Sequence, residues 1–141
     1  MNPPIILDTG PLVAFIDKSD QYHQWALDIW ATLSFPLLTC EAVISEACFL
    51  LQTTYGGSDA VMGMVEEGII QIDLELSAEI ASIRALMERY QSVPMDLADG
   101  CLVRLSELRT RSPILTLDTD FYIYRKNRKE TIELINPESS H

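Results

Sequence analysis

Acidic residues directly follow two apolar segments of this chain. Asp8 comes after residues 5–7, and Asp118 comes after residues 114–117. Asp120 stands two positions beyond Asp118, so both side chains point to the same side if the chain remains extended. Carboxylate oxygens are the ligands that hard divalent cations such as Mg²⁺ prefer. A single aspartate in such a place is also typical of an Asx turn or a helix cap, and both interpretations stay open for Asp8.

A further acid, Glu46, lies in a segment whose apolar spacing predicts a helix. Its neighbours three and four residues away on such a helix are all apolar: Ala42, Val43, Phe49 and Leu50. A carboxylate beside an apolar face costs free energy unless it is paired, hydrogen-bonded or bound to a metal. This cost favours a functional role for Glu46 over an ordinary boundary position on the helix surface.

Two more acids, Asp96 and Asp99, stand three residues apart at a predicted helix start that follows Pro94. The exposed N–H groups and the dipole of a helix N-terminus favour acids there, so a capping role explains both residues. The same spacing also projects the two side chains to one side of the helix. One aspartate can therefore cap the helix while the other faces a site.

Short apolar strands and longer amphipathic helices alternate around these acids. Strands are predicted at residues 3–8, 35–39, 69–74, 114–118 and 131–135, with a turn at residues 9–11. Helices are predicted at residues 21–33, 40–55, 58–68, 77–91 and 96–109, with Asp20 and Ser58 as N-caps, and residues 121–126 as a turn or short helix. This alternation predicts an α/β fold with a parallel sheet covered by helices on both faces. Such sheets bind ligands at the carboxyl ends of their strands, where the acids stand.

A single domain over residues 1–141 accounts for the length of the chain. The composition is 48% hydrophobic and 22% charged, which is typical of a globular protein and excludes disorder. The apolar runs are shorter than the roughly 20 residues that cross a bilayer, and the N-terminus lacks the pattern of a secretion signal. Three cysteines without a C-x-x-C pair suggest neither a disulfide framework nor a zinc site. We therefore expect no membrane association and a cytoplasmic location.

The net charge of −11 is distributed unevenly along the chain. Residues 1–103 contain 3 Lys and Arg against 15 Asp and Glu, whereas residues 104–141 contain 7 against 6. The C-terminal part can therefore face phosphate groups while the rest of the surface repels them. The run RKNRK at residues 125–129 is explained equally well by a solvated helix end.

Signatures of several other enzyme classes are missing from the sequence. There is no G-x-x-x-x-G-K-[ST], no G-x-G-x-x-G and no G-x-S-x-G, which argues against nucleotide-binding and serine-hydrolase classes. A phosphotransfer receiver needs an acid pair near the first strand and a lysine after a later strand. Here the first strand ends in one aspartate and the ILTL strand is followed by another, so the receiver class is disfavoured.

Four acidic motifs in this order make the chain resemble the PIN-domain ribonucleases of the VapC-like toxin type. The resemblance rests on the segments IILDTGPLVAF, LTCEAVISEACFLL, VPMDLADGCLVRLSE and ILTLDTDFYIYR, spread over nearly the whole chain. It implies that the catalytic, metal-binding acids are Asp8, Glu46, Asp99 and Asp118. Asp96 supplements these acids, and Asp120 is either a helper of Asp118 or its alternative. The hydroxyl groups of Thr9 and Thr116 match supporting positions.

The resemblance also implies a fold and a function. The fold is a PIN-like domain of about five parallel strands with helices on both faces. The function is a Mg²⁺- or Mn²⁺-dependent endoribonuclease that forms a homodimer and is held inactive by a small cognate antitoxin. RNA is then expected to contact basic residues of the last third of the chain, namely Arg104, Arg125, Lys126 and Arg128.

Two points qualify this resemblance. Gly100 occupies a helix position where the family usually has alanine, which is a better helix former. The alternative function is a non-catalytic PIN-fold protein that acts only through partner binding. The presence of all four acids favours the enzyme over this alternative.

Overall fold

Apolar segments of two or three residues form the main sheet of this protein, whose computed structural model describes residues 2–138. The strands are β1 (Ile6–Leu7), β2 (Leu37–Thr39), β3 (Ile70–Ile72), β4 (Ile114–Leu115), β5 (Arg125–Lys126), β6 (Glu130–Thr131) and β7 (Leu134–Ile135). The α-helices are α1 (Thr9–Ile16), α2 (His23–Trp30), α3 (Glu41–Leu50), α4 (Gly57–Glu66), α5 (Leu76–Arg89) and α6 (Leu97–Leu108). A 3₁₀ helix, Thr119–Tyr122, follows β4.

Five of the strands form one parallel sheet in the order β3–β2–β1–β4–β7. Ile6 of β1 lies opposite Leu38 of β2 on one side and Ile114 of β4 on the other. The chain leaves β1 toward β2 and β3 and later returns to the other side of β1, so the strand order reverses between β1 and β4. A crevice forms at the carboxyl ends of the strands at such a point. The predicted α/β fold with a five-stranded parallel sheet is confirmed.

Helices cover both faces of this sheet. Because side chains alternate along a strand, Ile6 and Ile114 belong to one buried cluster, together with residues of α5 and α6. Leu7 and Leu115 belong to a second cluster, which contains residues of α1, α2, α3 and α4. Burial on both sides explains why the central strands are continuous apolar runs rather than alternating ones.

The first helix, α1, is absent from the sequence prediction. Thr9, Gly10 and Pro11 are predicted as a turn, but they form the first turn of α1. Proline is compatible with this position because the first N–H groups of a helix have no intrahelical acceptor. Asp8 is the N-cap, which is one of the alternatives that its sequence position leaves open.

Two other predicted caps are wrong. Helix α2 begins at His23 with Tyr22 as its N-cap, and Asp20 instead accepts a hydrogen bond from Tyr22 N in the preceding turn. Helix α4 begins one residue before Ser58, after Gly56 has turned the chain with a φ of 69°. That left-handed conformation favours glycine, so the turn residue rather than the hydroxyl sets this helix start.

The predicted last strand, residues 131–135, is divided between two sheets. Strand β6 pairs antiparallel with β5 in a hairpin, whereas β7 joins the main sheet beside β4. Asn127 and Arg128 form the hairpin turn with φ values of 51° and 70°, and two such left-handed residues match the twist of paired strands. Residues 121–126 are predicted as a turn or short helix. In the structure the first two of them belong to the 3₁₀ helix Thr119–Tyr122, and the last two form β5.

Gly100, which departs from the family pattern, lies where α6 packs against α5. A Cβ atom at this position would lie 3.2 Å from Met87 Cγ and 3.3 Å from Ile83 Cγ2. Such contacts are tighter than ordinary packing, so alanine would require both side chains to shift. The close approach of the two helices accounts for glycine here.

The cysteines and the helices of the described residues can be compared with what the composition predicts. Cys40 and Cys101 are buried and Cys48 is half-buried, all three with free thiols, in line with small core residues. Within residues 2–138, no helix combines the length and the apolar character that a membrane crossing needs.

Candidate active site

Acids from four elements line a cavity of about 280 Å³ at the carboxyl ends of β1 and β4. The residues around it are Asp8, Thr9, Gly10, Glu46, Leu50, Asp96, Asp99, Leu117 and Asp118. The cavity lies where the strand order reverses, which is where open α/β sheets bind their ligands. The structure therefore brings together the four acids that sequence analysis selects.

Both oxygens of Asp8 accept hydrogen bonds. Oδ1 accepts one from Thr9 N at 2.7 Å, and Oδ2 accepts one from Thr116 Oγ1 at 2.6 Å. Burial raises the pKa of Asp8 to about 6, the hydrogen bonds from Thr116 and Thr9 partly oppose this, and the charges of Asp118 and Glu46 add to it. The two interpretations of Asp8 are thus compatible, because the residue caps α1 and also faces the cavity.

Thr9 connects Asp8 to Glu46. Its hydroxyl group donates to Glu46 Oε1 at 2.6 Å, while its amide donates to Asp8.

The sequence argument for Glu46 assumed a buried apolar face around it. The structure instead leaves Phe49 65% and Leu50 51% exposed, and Glu46 itself is exposed. Glu46 lines the cavity, but the cost of burial is not what places it there.

Asp96 and Asp99 divide the two roles that their spacing allows. Asp96 is the N-cap of α6 and accepts a hydrogen bond from Asp99 N at 2.8 Å. Asp99 is 8% exposed, and its Oδ2 accepts a hydrogen bond from the hydroxyl of Tyr124 at 2.7 Å. Burial raises the pKa of Asp99 to about 7, against the opposing effect of Tyr124, and the charges of Asp96, Asp8 and Asp118 raise it further.

Asp118 and Asp120 both approach Asp99. One carboxylate oxygen from each of these three residues lies within 4.8 Å of the other two. Asp118 also caps the 3₁₀ helix, since its Oδ1 accepts a hydrogen bond from Asp120 N at 2.9 Å. The pKa of Asp120 is raised by partial burial first and by the charges of Asp118 and Asp96 second. Both candidates for the fourth acid are therefore at the site.

Thr116 and Tyr124 complete the hydrogen bonding of the acids. Thr116 Oγ1 donates to Asp8 and accepts from Asp118 N at 2.9 Å, so one hydroxyl connects two acids. Tyr124, which donates to Asp99, is a residue that sequence reasoning missed. Tyr124 lies in the segment ILTLDTDFYIYR, but sequence analysis uses the acids of that segment and not the tyrosine, whose signal is an aromatic residue soon after the strand end.

The donor set fits a hard divalent cation. The cavity residues contribute carboxylate and hydroxyl oxygens, and none of them is a histidine or a cysteine. Mg²⁺ and Mn²⁺ prefer such oxygen ligands, whereas zinc sites generally contain imidazole or thiolate groups. Among residues 2–138, Asp99, Asp118 and Asp120 each bring one carboxylate oxygen close enough to share one ion, and Asp99 and Asp118 line the same cavity as Asp8.

The four basic residues predicted to contact RNA are not among the residues that line this cavity. Arg104 donates to Glu79 at 2.8 Å and to Glu107 at 3.0 Å, and Lys126 donates to the carbonyl of Thr110 at 2.6 Å. Arg125 donates to three backbone carbonyls: those of Tyr122, Ile123 and Tyr124. Arg128 is exposed at the hairpin turn. Three of the four cations thus have intramolecular acceptors.

The parallel sheet carries a cluster of carboxylates at the point where its strand order reverses, and this arrangement is that of an α/β domain with an acidic site. The chain belongs to the PIN-domain family, whose family model matches residues 5–127. This confirms the family resemblance that the four motifs indicate.

Comparison of three-dimensional structures agrees with the family assignment. The chain is similar to the crystal structure of VapC20 from Mycobacterium tuberculosis, a toxin that cleaves the sarcin–ricin loop. The TM-score is 0.72 at 18% sequence identity, over 82% of this chain and 91% of that chain. The likeness shows a common fold. No curated protein matches the sequence.

Proposed function

We propose that this chain is an endoribonuclease that depends on Mg²⁺ or Mn²⁺ and is the toxin of a toxin–antitoxin pair. The observation that carries the proposal is the convergence of Asp99, Asp118 and Asp120 within 4.8 Å, the first two of which line the same cavity as Asp8. Membership of the PIN-domain family supports it. The fold likeness to a toxin that cleaves the sarcin–ricin loop supports RNA as the substrate class.

The proposed reaction is hydrolysis by water. When bound, a divalent ion lowers the pKa of its water and neutralises charge on the scissile phosphate. The side chains hold the acids ready for this ion: Thr116 and the amide of Thr9 fix Asp8, and Tyr124 fixes Asp99. None of the cavity residues is a serine, cysteine or histidine that could act as a nucleophile. The proposed nucleophile is a water molecule, and its attack would leave a 5′-phosphate and a 3′-hydroxyl.

The experiment that tests this proposal is cleavage of structured RNAs, including a stem-loop of the sarcin–ricin type, with Mg²⁺, Mn²⁺ or a chelator. We expect cleavage only with metal, and end-group analysis should find 5′-phosphates and 3′-hydroxyls. A 2′-deoxy nucleotide placed at the cut site should still be cleaved, because the 2′-hydroxyl is not the nucleophile. Cyclic phosphate ends would identify a contaminating metal-independent nuclease. Absence of cleavage with every RNA and metal would favour the non-catalytic alternative.

RNA contact by the basic residues remains a prediction, and the structure indicates which residue tests it most directly. Arg128 is exposed at the tip of the β5–β6 hairpin, so Arg128→Glu should weaken RNA binding without breaking an ion pair. The slope of log affinity against log salt should fall by about one, since one fewer phosphate is neutralised. Arg84→Glu on α5 is the matched control, because it makes the same charge change at another exposed arginine. Equal salt slopes for the two variants would make RKNRK a solvated surface run.

The proposal includes two protein partners. A small cognate antitoxin would cover the acid cavity, and an arginine or lysine of that partner would match the charges of Asp8, Asp99 and Asp118. An adjacent small reading frame that encodes a DNA-binding N-terminus would identify it. A homodimer is proposed on the family resemblance, and sedimentation of the purified chain measures it.

A further inference from the structure

Tyr124 is buried beside the acid cavity and contacts one of its acids directly. The side chain is 0% exposed, and its hydroxyl group donates to Asp99 Oδ2 at 2.7 Å. The hydroxyl lies at the end of an otherwise apolar ring, and a buried hydroxyl needs a hydrogen-bond partner. Asp99 is that partner. Tyr124 comes two residues after the 3₁₀ helix Thr119–Tyr122, which Asp118 caps.

Aromatic packing holds the Tyr124 ring in place independently of that hydrogen bond. The Tyr90 ring lies 5.1 Å away at an interplanar angle of 67°, and the Phe121 ring lies 5.2 Å away at 89°. Both are edge-to-face contacts, which are favourable for aromatic rings. The hydroxyl of Tyr90 also accepts a hydrogen bond from Arg125 N at 3.0 Å, which anchors the backbone next to Tyr124. The Tyr124 hydroxyl is therefore a hydrogen-bond donor in a fixed position.

A fixed donor determines how the Asp99 carboxylate is oriented. Asp96 holds the backbone of Asp99 at the start of α6, and Tyr124 holds Oδ2. Asp99 also contributes one carboxylate oxygen to the cluster with Asp118 and Asp120. Tyr124 also belongs to the segment that follows these two acids, so its hydrogen bond ties that segment to α6.

We propose that Tyr124 is a positioning residue that fixes the Asp99 carboxylate for divalent metal binding. This inference rests on the proposed function, because it assumes that Asp99 is a metal ligand. Hydrogen-bond partners of metal-bound side chains orient their ligands, and their loss typically weakens metal affinity or activity by about 10- to 100-fold.

The test compares Tyr124→Phe with the original protein and with Tyr122→Phe. Both variants remove one hydroxyl and keep the ring in the same segment, but the Tyr124 hydroxyl donates to an acid, whereas the Tyr122 hydroxyl accepts a hydrogen bond from Asn136 Nδ2. Binding of Mn²⁺ is measured from the spin-resonance signal of the free ion, with no RNA present. We expect the dissociation constant to rise about tenfold for Tyr124→Phe and to change less than about twofold for Tyr122→Phe.

A second measurement separates positioning from a loss of folded protein. The Mn²⁺ concentration that gives half-maximal RNA cleavage should rise about tenfold in Tyr124→Phe, while KM for RNA at saturating metal stays within about twofold. A variant that merely folds less well loses activity at all metal concentrations and keeps its half-saturation point. An unchanged half-saturation point would overturn the proposed role of Tyr124. Unchanged Mn²⁺ binding by Tyr124→Phe, when the original protein binds Mn²⁺ and cleaves RNA, would also overturn it and would leave the proposed function standing. Failure of the original protein to bind Mn²⁺ would overturn the proposed function as well.

Discussion

Asp99→Asn should abolish RNA cleavage and leave the fold intact. Asp99 is one of the three acids close enough to share a metal, and metal catalysis contributes several kcal/mol to lowering the barrier. Loss of about 4 kcal/mol corresponds to about a thousandfold fall in rate. The substitution is nearly isosteric, and the remaining carbonyl oxygen of asparagine can still accept the hydrogen bond from Tyr124. Single-turnover cleavage rates of the two proteins at saturating Mg²⁺ measure the effect.

Stability measurements on the same variant distinguish a functional acid from a structural one. Metal-free Asp99→Asn should be as stable as the original protein or more so, because it removes a charge that burial and three neighbouring acids disfavour. Capping is preserved, since Asp96 rather than Asp99 accepts the hydrogen bond at the start of α6. Mg²⁺ should raise the Tm of the original protein more than that of the variant, as expected for a ligand that binds the native state.

Asp118→Asn is the companion variant, and it differs from Asp99→Asn in that Asp118 is itself a helix cap. Asp118 caps the 3₁₀ helix, a role that asparagine can keep through its carbonyl oxygen. We expect it to lose cleavage and the Mg²⁺ response as Asp99→Asn does. If both variants were strongly destabilised without metal and still showed the full Mg²⁺ shift in Tm, the acids would be structural and the shared site would not exist.

The metal-free protein should be more stable at about pH 5 than at about pH 7.5. The pKa of Asp8 is raised from 3.8 to about 6 and that of Asp99 from 3.8 to about 7, so the native state binds more protons than the unfolded chain between pH 4 and 7. Stability therefore falls as the pH rises through this window. For the buried Asp8 alone the full penalty is about 3 kcal/mol, of which about half develops between pH 5 and 7.5. Urea unfolding across this pH range measures it.

Divalent metal should reverse the pH dependence of the stability. Mg²⁺ binds the deprotonated acids, so its apparent affinity should increase by up to about tenfold per pH unit for each proton released below the raised pKa values. The Mg²⁺-induced rise in Tm should be small at about pH 5 and large at about pH 8. Asp99→Asn supplies the control, because removal of one titrating group should flatten both pH profiles. A metal-free stability that does not change between pH 5 and 7.5 would contradict the raised pKa values.

Local sequence is sufficient to predict the elements that present the acids. The apolar runs before Asp8 and Asp118 predict two strands that end at the sheet edge, and the spacing of Asp96 and Asp99 predicts the start of α6. These predictions agree with the structure because strand burial and helix periodicity depend on a few consecutive residues. The failure at α1 has a local cause too, since Thr-Gly-Pro is compatible with both a turn and a first helical turn.

The tertiary structure alone decides how each acid is held and how readily it loses its proton. Asp8 is held by Thr116, 108 positions away, and Asp99 by Tyr124, 25 positions away. Arg104 is likewise directed to Glu79, 25 positions away, rather than left free for phosphate. Packing of distant segments selects these partners, and local propensity carries no information about them. Which acids meet at the sheet edge follows from the sequence and the topology of parallel sheets, whereas their orientation and raised pKa values come from burial in the assembled fold.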